Sequence, residues 1–262
     1  MIKIGFIGCG NMGGALALAA AKNKDTDIIL YDKDTEKALT LASEIGAKTA
    51  SIDDICSCEL IFLGVKPNIV ASVICEIKDK VIKSGATLVS MAAGVSIEKI
   101  VGYFGSELPV IRIMPNTPAK VGRGMILYTA NESGKSSVES FLAVMSASGR
   151  LDAIDERLID AASAISGCGP AFVYMFIEAL ADGGVMSGLP REKAMLYAAE
   201  TLIGAAEVVK QTGKHPGELK DEVCSPGGST IEGVKALEDG AMRGTVSSAV
   251  VAAYQKTLKL GG

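Results

Sequence analysis

Apolar positions along the chain change their spacing near residue 154. Before that point, short runs of apolar and β-branched residues alternate with segments in which apolar residues recur every three or four positions. The runs predict strands at 3–7, 28–31, 60–65, 87–90 and 110–114, and the segments predict helices at 12–21, 36–44, 68–78 and 136–146. Continuously apolar strands separated by helices indicate a parallel sheet covered on both faces, so residues 1–154 are predicted to form an α/β domain of nucleotide-binding architecture.

From residue 155 onward every apolar segment has the period of a helix. The predicted helices are 156–165, 172–186, 190–212, 218–223, 229–238 and 242–258. They are rich in Ala and Gly and carry few charges on more than one face, so we expect them to pack against a second chain as well as their own core. Residues 155–262 are therefore predicted to be an all-α domain that also packs against a second chain.

Composition excludes several classes of protein. A net charge of −4 provides no basic field for a nucleic acid. The first residues read as a buried strand and not as a signal peptide, and the longest uncharged stretch, 161–177, is shorter than a membrane span and interrupted by glycine and proline. Six scattered cysteines in a chain of this length fit a reducing cytoplasm, and with one His in the chain Cys56 and Cys58 lack a second ligand pair, so no metal site is predicted.

The strongest local motif is a glycine-rich loop between the first predicted strand and the first predicted helix, which we call the glycine loop. It consists of Gly8, Cys9, Gly10, Asn11, Met12 and Gly13. In a GxGxxG motif at this place, the first glycine permits a tight turn, the second lets a pyrophosphate approach the backbone, and the third packs the helix on the strand. The sequence therefore predicts that NAD or NADP binds here, although a purely structural turn would look similar.

Other cofactor contacts are expected at later strand ends. Asp32 ends the second predicted strand, where an acid usually binds the ribose 2′-hydroxyl of NAD; the neighbouring Lys33 and Lys37 would attract the 2′-phosphate of NADP instead, so the choice of cofactor stays open. Two more strand ends are predicted to line the ribose and nicotinamide, although each alone could be a simple strand-to-helix turn. They contain Val65, Lys66 and Pro67, and Ala92, Ala93 and Gly94; residues 92–94 are called the nicotinamide loop below.

The helical half contains a second informative loop. Residues 225–230, called the carboxylate loop below, combine two glycines with hydroxyl groups before a helix, which suits a small anion such as a carboxylate but equally suits an N-cap without a ligand. His215 precedes a proline and is predicted to be a turn residue, not a base. Residues 112–118 are predicted to form a rigid turn in which Asn116 caps local backbone groups.

Taken together, these motifs resemble the pyrroline-5-carboxylate reductase family. The resemblance rests on residues 8–13, 65–67, 92–94, 112–118, 167–171 and 215–231. It implies a Rossmann domain followed by a helical dimerisation domain, with dimers that assemble into larger homo-oligomers, and reduction of 1-pyrroline-5-carboxylate to L-proline by NADPH or NADH. It also implies that Ser225, Gly228 and Ser229 bind the substrate carboxylate and that Thr230 acts as the catalytic residue at the ring nitrogen.

The chain departs from the family pattern at two positions, and two other functions fit parts of it. Cys168 stands where a serine is expected, and Asp32 stands where an NADP-preferring member would carry a neutral residue. A β-hydroxyacid dehydrogenase would need a catalytic lysine at the position of Val173, because an alcohol must lose its hydroxyl proton, whereas a cyclic iminium does not. A non-catalytic dinucleotide sensor would have no use for the carboxylate loop.

Overall fold

The computed structural model describes residues 1–260, and this part of the chain contains a mixed sheet followed by helices. The strands are β1 (Ile2–Ile7), β2 (Thr26–Tyr31), β3 (Lys48–Thr49), β4 (Leu60–Leu63), β5 (Thr87–Ser90), β6 (Val110–Met114), β7 (Gly124–Ala130) and β8 (Gly149–Ala153). The helices are α1 (Asn11–Ala20), α2 (Thr35–Ile45), α3 (Ile52–Ile55), α4 (Val70–Ser84), α5 (Ile97–Phe104), α6 (Val138–Met145), α7 (Glu156–Ser166), α8 (Gly169–Met186), α9 (Arg191–Thr212), α10 (Pro216–Val223), α11 (Ser229–Asp239) and α12 (Met242–Leu260). Short 3₁₀ turns lie between them.

The strands follow the order β3-β2-β1-β4-β5-β6-β7-β8 across the sheet. From β3 to β6 all neighbouring strands are parallel, which confirms the predicted parallel sheet. β2 and β3 lie on one side of β1, and β4, β5 and β6 lie on the other, as in doubly wound dinucleotide-binding folds. β7 is antiparallel to β6 and pairs in parallel with β8. The sequence analysis missed both of these strands. β8 is polar and only half-buried, and its stability comes from pairing with β7.

Apolar clusters cover both faces of the sheet, because neighbouring residues on a strand point to opposite sides. Along β4, Phe62 packs into one cluster, whereas Ile61 and Leu63 pack into the other. The Phe6 and Phe62 rings stack with their centroids 4.5 Å apart. The strands are therefore buried from both sides, and their carboxyl ends are held in fixed positions.

The structure contains two compact units, and they do not meet at the predicted boundary between residues 154 and 155. One compact unit contains Met1–Cys168 and the chain from Ala252 onward, and the other contains Gly169–Val251. α7 belongs with the sheet because its fully buried Ile159 packs with Met114 and Leu127. A sequence period identifies α7 as a helix but does not reveal which core covers its apolar face.

The second unit consists of helices, as predicted, and few of its side chains are buried within the single chain. α8 and α9 meet through small side chains, and Ala181, Ala194 and Ala198 form the buried contact. Large apolar side chains on the same two helices remain exposed, including Tyr174, Met175, Met186, Leu196, Tyr197 and Ile203. An exposed apolar surface of this extent marks a site of interaction.

Candidate active site

The glycine loop brings strand and helix together by close backbone packing. Gly8 has a φ of +101°, and its N–H donates to the carbonyl oxygen of Tyr31 at 2.8 Å. A Cβ at Gly13 would lie 2.0 Å from the carbonyl oxygen of Gly8, so only glycine allows α1 to start this close to β1. A Cβ at Gly10 would meet nothing within 4 Å. The first and third glycines are thus required by the fold, whereas the second faces open space.

The start of α1 suits a dinucleotide pyrophosphate. Gly10 is the N-cap residue and supplies no side-chain hydrogen bond, and the first turn contains no acidic residue. The N–H groups of a first helical turn lack partners inside the helix, and the helix dipole favours an anion there. Open space over Gly10 and these amides together fit the phosphates that the sequence analysis placed here.

Asp32 is held by two backbone donors, one of which belongs to the glycine loop. The N–H of Cys9 donates to its Oδ2 at 2.7 Å, and the N–H of Asp34 donates to its Oδ1 at 2.9 Å. Each carboxylate oxygen keeps a second lone pair for a ligand. Burial, together with the Asp32 charge, raises the pKa of the Cys9 thiol to about 12, so this thiol of the loop stays protonated. The structure thus places Asp32 next to the glycine loop, as a ribose-binding acid requires.

A cavity of about 570 Å³ opens at the carboxyl ends of β1, β2 and β4. Gly8, Asp32, Lys33 and Val65 line it, all of them predicted cofactor contacts. Its apolar walls come from Tyr31, Ile52, Ile69 and Val73, and its polar groups include Ser72 and Glu76. Such a mainly apolar cavity with a few polar groups is typical of a nucleotide subsite.

A second cavity of about 480 Å³ lies beside the loop and is lined by Cys9, Gly10 and Asn11. Lys37 also lines it, but its amino group forms an ion pair with Asp34 at 2.9 Å, which lowers the pKa of that exposed carboxyl and partly neutralises the lysine. The other predicted contacts, Met12, Gly13, Lys66, Pro67 and residues 92–94, line neither of these two cavities.

The nicotinamide loop follows β5 directly, at the same edge of the sheet. Ala92 is buried, and Gly94 has a φ of +73°, which favours glycine. Ala93 packs at the edge of the apolar cluster formed by Met114, Leu127 and Ile159. The loop is thus a packed part of the sheet unit, where the sequence analysis predicted it.

The carboxylate loop forms a tight turn before α11. Gly227 has a φ of +66°, and the N–H of Gly228 donates to the Ser225 carbonyl oxygen at 3.0 Å. Gly228 is the N-cap residue of α11 and offers no side-chain cap. Ser225, Ser229 and Thr230 are exposed within the single chain. The amides at the start of α11 are therefore open to an anion.

Thr230 is the second residue of α11 and does not cap it. Among the residues that the structure describes, nothing forms a hydrogen bond with its hydroxyl. The alternative in which Thr230 only caps its helix is therefore wrong. His215, in contrast, does cap α10, because its Nδ1 accepts from the N–H of Gly217 at 3.1 Å, which confirms the predicted turn residue.

Residues 112–118 differ from the prediction. Asn116 does not cap local groups: its Nδ2 donates to the carbonyl oxygen of Ser166 at 2.8 Å, and its Oδ1 accepts from the N–H of Met125 at 2.9 Å. Arg112 is 2% exposed and forms ion pairs with Glu156 and Asp160. The sequence analysis missed this role, although a charged residue in the middle of the apolar strand β6 was the available signal.

The fold and this site define a Rossmann-type oxidoreductase that uses a nicotinamide dinucleotide. The sequence profile of the family described as pyrroline-5-carboxylate reductase dimerisation matches residues 156–260. A second profile, described as NADP oxidoreductase coenzyme F420-dependent, matches residues 3–94. The first match lies in the helical half, the second covers part of the sheet half, and residues 95–155 lie in neither match.

Similar proteins identify the family. The pyrroline-5-carboxylate reductase of Escherichia coli K12 is 39% identical over 98% of both chains, and that of Arabidopsis thaliana is 37% identical over 98% of this chain and 95% of its own. The crystal structure of a Plasmodium falciparum pyrroline carboxylate reductase with NADP bound matches with a TM-score of 0.89 and 35% identity, over all of this chain and 98% of that one.

The chain belongs to the pyrroline-5-carboxylate reductase family. It is an NAD(P)H-dependent oxidoreductase of the last step of proline biosynthesis, and its helical domain is a dimerisation domain. Membership also decides against the β-hydroxyacid dehydrogenase and the non-catalytic sensor.

Dimerisation also explains an unexpected property of the helical half. Residues 156–186 are long and apolar enough to cross a membrane by length and composition alone. An 18-residue window within them has a mean hydropathy of 1.5, and only 11% of that window is buried within the chain. The structure interrupts the stretch between α7 and α8, and α8 carries Glu178 and Asp182. We interpret the apolar surface as one that a partner subunit covers.

Proposed function

We propose that the two loops divide the work of the reductase, with the cofactor on the glycine loop and the substrate on the carboxylate loop. The observation that carries this proposal is the open helix start at each loop, where a glycine N-cap leaves the amides of the first turn without a side-chain partner. The pyrophosphate binds at Gly8–Gly13, Asp32 or Lys33 contacts the adenosine ribose, and residues 65–67 and 92–94 line the nicotinamide half.

The substrate requires two fixed points, because hydride transfer needs its imine carbon within about 3–3.5 Å of the donor. Ser225, Ser229 and the N–H of Gly228 bind the carboxylate, and the Thr230 hydroxyl donates to the ring nitrogen as that nitrogen gains a lone pair. The bound cofactor supplies the hydride. Because the iminium already carries a positive charge, these residues need only bind, orient and exclude water, and no separate base is required.

We propose that NADH serves well alongside NADPH. Asp32 is held by two backbone donors, and its free lone pairs can accept from a ribose diol but repel a 2′-phosphate. Lys33 forms no ion pair with the residues that the structure describes, and it favours the phosphate. The opposing charges support use of both cofactors.

We propose that the dimers form larger homo-oligomers in the cytoplasm, without a nucleic-acid or membrane partner. The net charge of −4 offers no basic field, and the six cysteines are free thiols.

The test is turnover of 1-pyrroline-5-carboxylate with each reduced cofactor, followed by loss of nicotinamide absorbance. We expect activity with both cofactors. Ser225→Ala should raise KM for the substrate, because it removes a contact with the substrate carboxylate. It should leave KM for the cofactor unchanged, because Ser225 is not proposed to contact the cofactor. Ser136→Ala, at an exposed serine in the sheet unit, is the control and should change neither constant. Absence of turnover with both cofactors would contradict the proposal.

A further inference from the structure

Glu156 occupies a junction between three elements of the sheet unit. Its Oε1 accepts from Nη1 of Arg112 at 3.2 Å and from the N–H of Ile97 at 2.7 Å. Arg112 lies in β6, Ile97 is the first residue of α5, and Glu156 is the first residue of α7. One carboxylate oxygen therefore links a buried strand to the starts of two helices.

The bond to Ile97 fixes the far end of the segment that contains the nicotinamide loop. Ile97 follows the N-cap residue Ser96, so its N–H has no acceptor within α5, and Glu156 supplies one from outside the helix. At the near end, the N–H of Met91 donates to the Leu63 carbonyl oxygen, which ties the segment to β4. Residues 91–97 are thus anchored at both ends, and Glu156 provides the second anchor.

The carboxylate is itself held in place. Arg112 is 2% exposed, and its Nη2 donates to Asp160 at 2.5 Å, so the guanidinium keeps one orientation between the two acids of α7. Asn116 holds the other end of α7 through the Ser166 carbonyl oxygen. Between these points Ile159 packs in the same apolar cluster as Ala93 of the nicotinamide loop.

We propose that Glu156, oriented by Arg112, is a positioning residue for the nicotinamide loop. It acts by holding the Ile97 end of the segment and thereby sets the backbone of residues 92–94 against the nicotinamide half of the cofactor. Asp160 shares the guanidinium, but the acceptor of the Ile97 N–H is Glu156, so the role of Asp160 is to hold Arg112. The proposal rests on the proposed placement of the cofactor at residues 92–94.

The test compares Glu156→Ala with Glu156→Gln and with the control Asp160→Asn. Glu156→Ala removes the acceptor of the Ile97 N–H, whereas Glu156→Gln keeps a carbonyl oxygen at that point. We expect amide hydrogen exchange at residues 92–97 to rise at least about tenfold in Glu156→Ala, without ligand, and to stay near wild type in the other two variants. The Kd for NADPH and NADH should rise about three- to tenfold in Glu156→Ala alone.

Each result decides the proposal. All variants are measured well below their melting temperatures. A loss of stability that Glu156→Ala shares with Asp160→Asn therefore cannot explain faster exchange at residues 92–97 in Glu156→Ala alone. If Glu156→Ala does not fold, Glu156→Asp, whose carboxylate is withdrawn by one methylene, takes its place. Unchanged exchange, or faster exchange with unchanged Kd, would overturn the positioning role. Failure of the wild type to reduce the substrate would instead contradict the proposed function. Amide hydrogen exchange and cofactor Kd would still decide the positioning role of Glu156.

Discussion

The second and third glycines of the glycine loop provide a matched pair of substitutions, because an added methyl group meets opposite surroundings. At Gly13 the new Cβ would lie 2.0 Å from the Gly8 carbonyl oxygen, whereas ordinary contact begins at 3.4 Å. The start of α1 and the backbone at Gly8 must therefore move apart by the difference, 1.4 Å. At Gly10 nothing lies within 4 Å, and the φ of −70° is one that alanine adopts readily.

These distances predict opposite effects on stability. Overpacking against backbone costs up to about 3 kcal/mol, and the better helix propensity of alanine offsets at most about 1 kcal/mol of it, so Gly13→Ala should lose about 2 kcal/mol. For a domain of this size that loss lowers Tm by about 4–8 °C. In Gly10→Ala, alanine is a poorer N-cap than glycine, but it also makes the unfolded chain less flexible, which stabilises the fold. The free energy of unfolding should therefore stay within about 0.5 kcal/mol of wild type.

Cofactor binding should show the reverse order. The Gly10 methyl group would occupy the open space at the start of α1, where the pyrophosphate is proposed to bind, so Gly10→Ala should raise the Kd for NADPH and NADH about tenfold or more. The measurements are thermal unfolding and fluorescence titration of the reduced cofactors on the same preparations. Wild-type affinity in Gly10→Ala would refute the placement of the phosphates, and a wild-type Tm in Gly13→Ala would refute the packing argument.

Three further substitutions test the remaining residues. Asp32→Ser should lower the ratio of kcat/KM for NADH to that for NADPH about tenfold, because it removes the ribose acceptor and the charge that repels a 2′-phosphate; an unchanged ratio would mean that Asp32 does not contact the ribose. Thr230→Ala should lower kcat/KM about 10- to 100-fold with an unchanged Tm, since Thr230 caps no helix, and Thr230→Ser should restore activity; equal kinetics in both variants would remove Thr230 from the site. Burial raises the pKa of the Cys58 thiol from 9.0 to about 12, so the thiol ionises in the unfolded chain first, and the free energy of unfolding falls as pH rises from 9 towards 12. Urea unfolding across that pH range should show a shallower decline in Cys58→Ala than in wild type. An equal decline in both proteins would contradict the raised pKa.

Local pattern was sufficient for much of the fold. The strands β1, β2, β4, β5 and β6 were predictable because each is a short apolar run bounded by turn residues, and the helices after residue 155 because their apolar residues repeat with helical period. The glycine loop and the carboxylate loop were recognisable for a related reason, since glycine and hydroxyl residues at a helix start have a purely local purpose. The resemblance to the reductase family depended on these same local motifs.

Tertiary structure alone decided which distant residues meet. The carboxylate of Asp32 meets the N–H of Cys9 across 23 positions, and Glu156 reaches Ile97 across 59. No period in the sequence encodes such pairs, because they depend on how strands are ordered in the sheet and which core covers each helix. For the same reason the sequence analysis misjudged Asn116, missed β8, and did not predict that α7 packs on the sheet through Ile159 and the ion pair of Glu156 with Arg112.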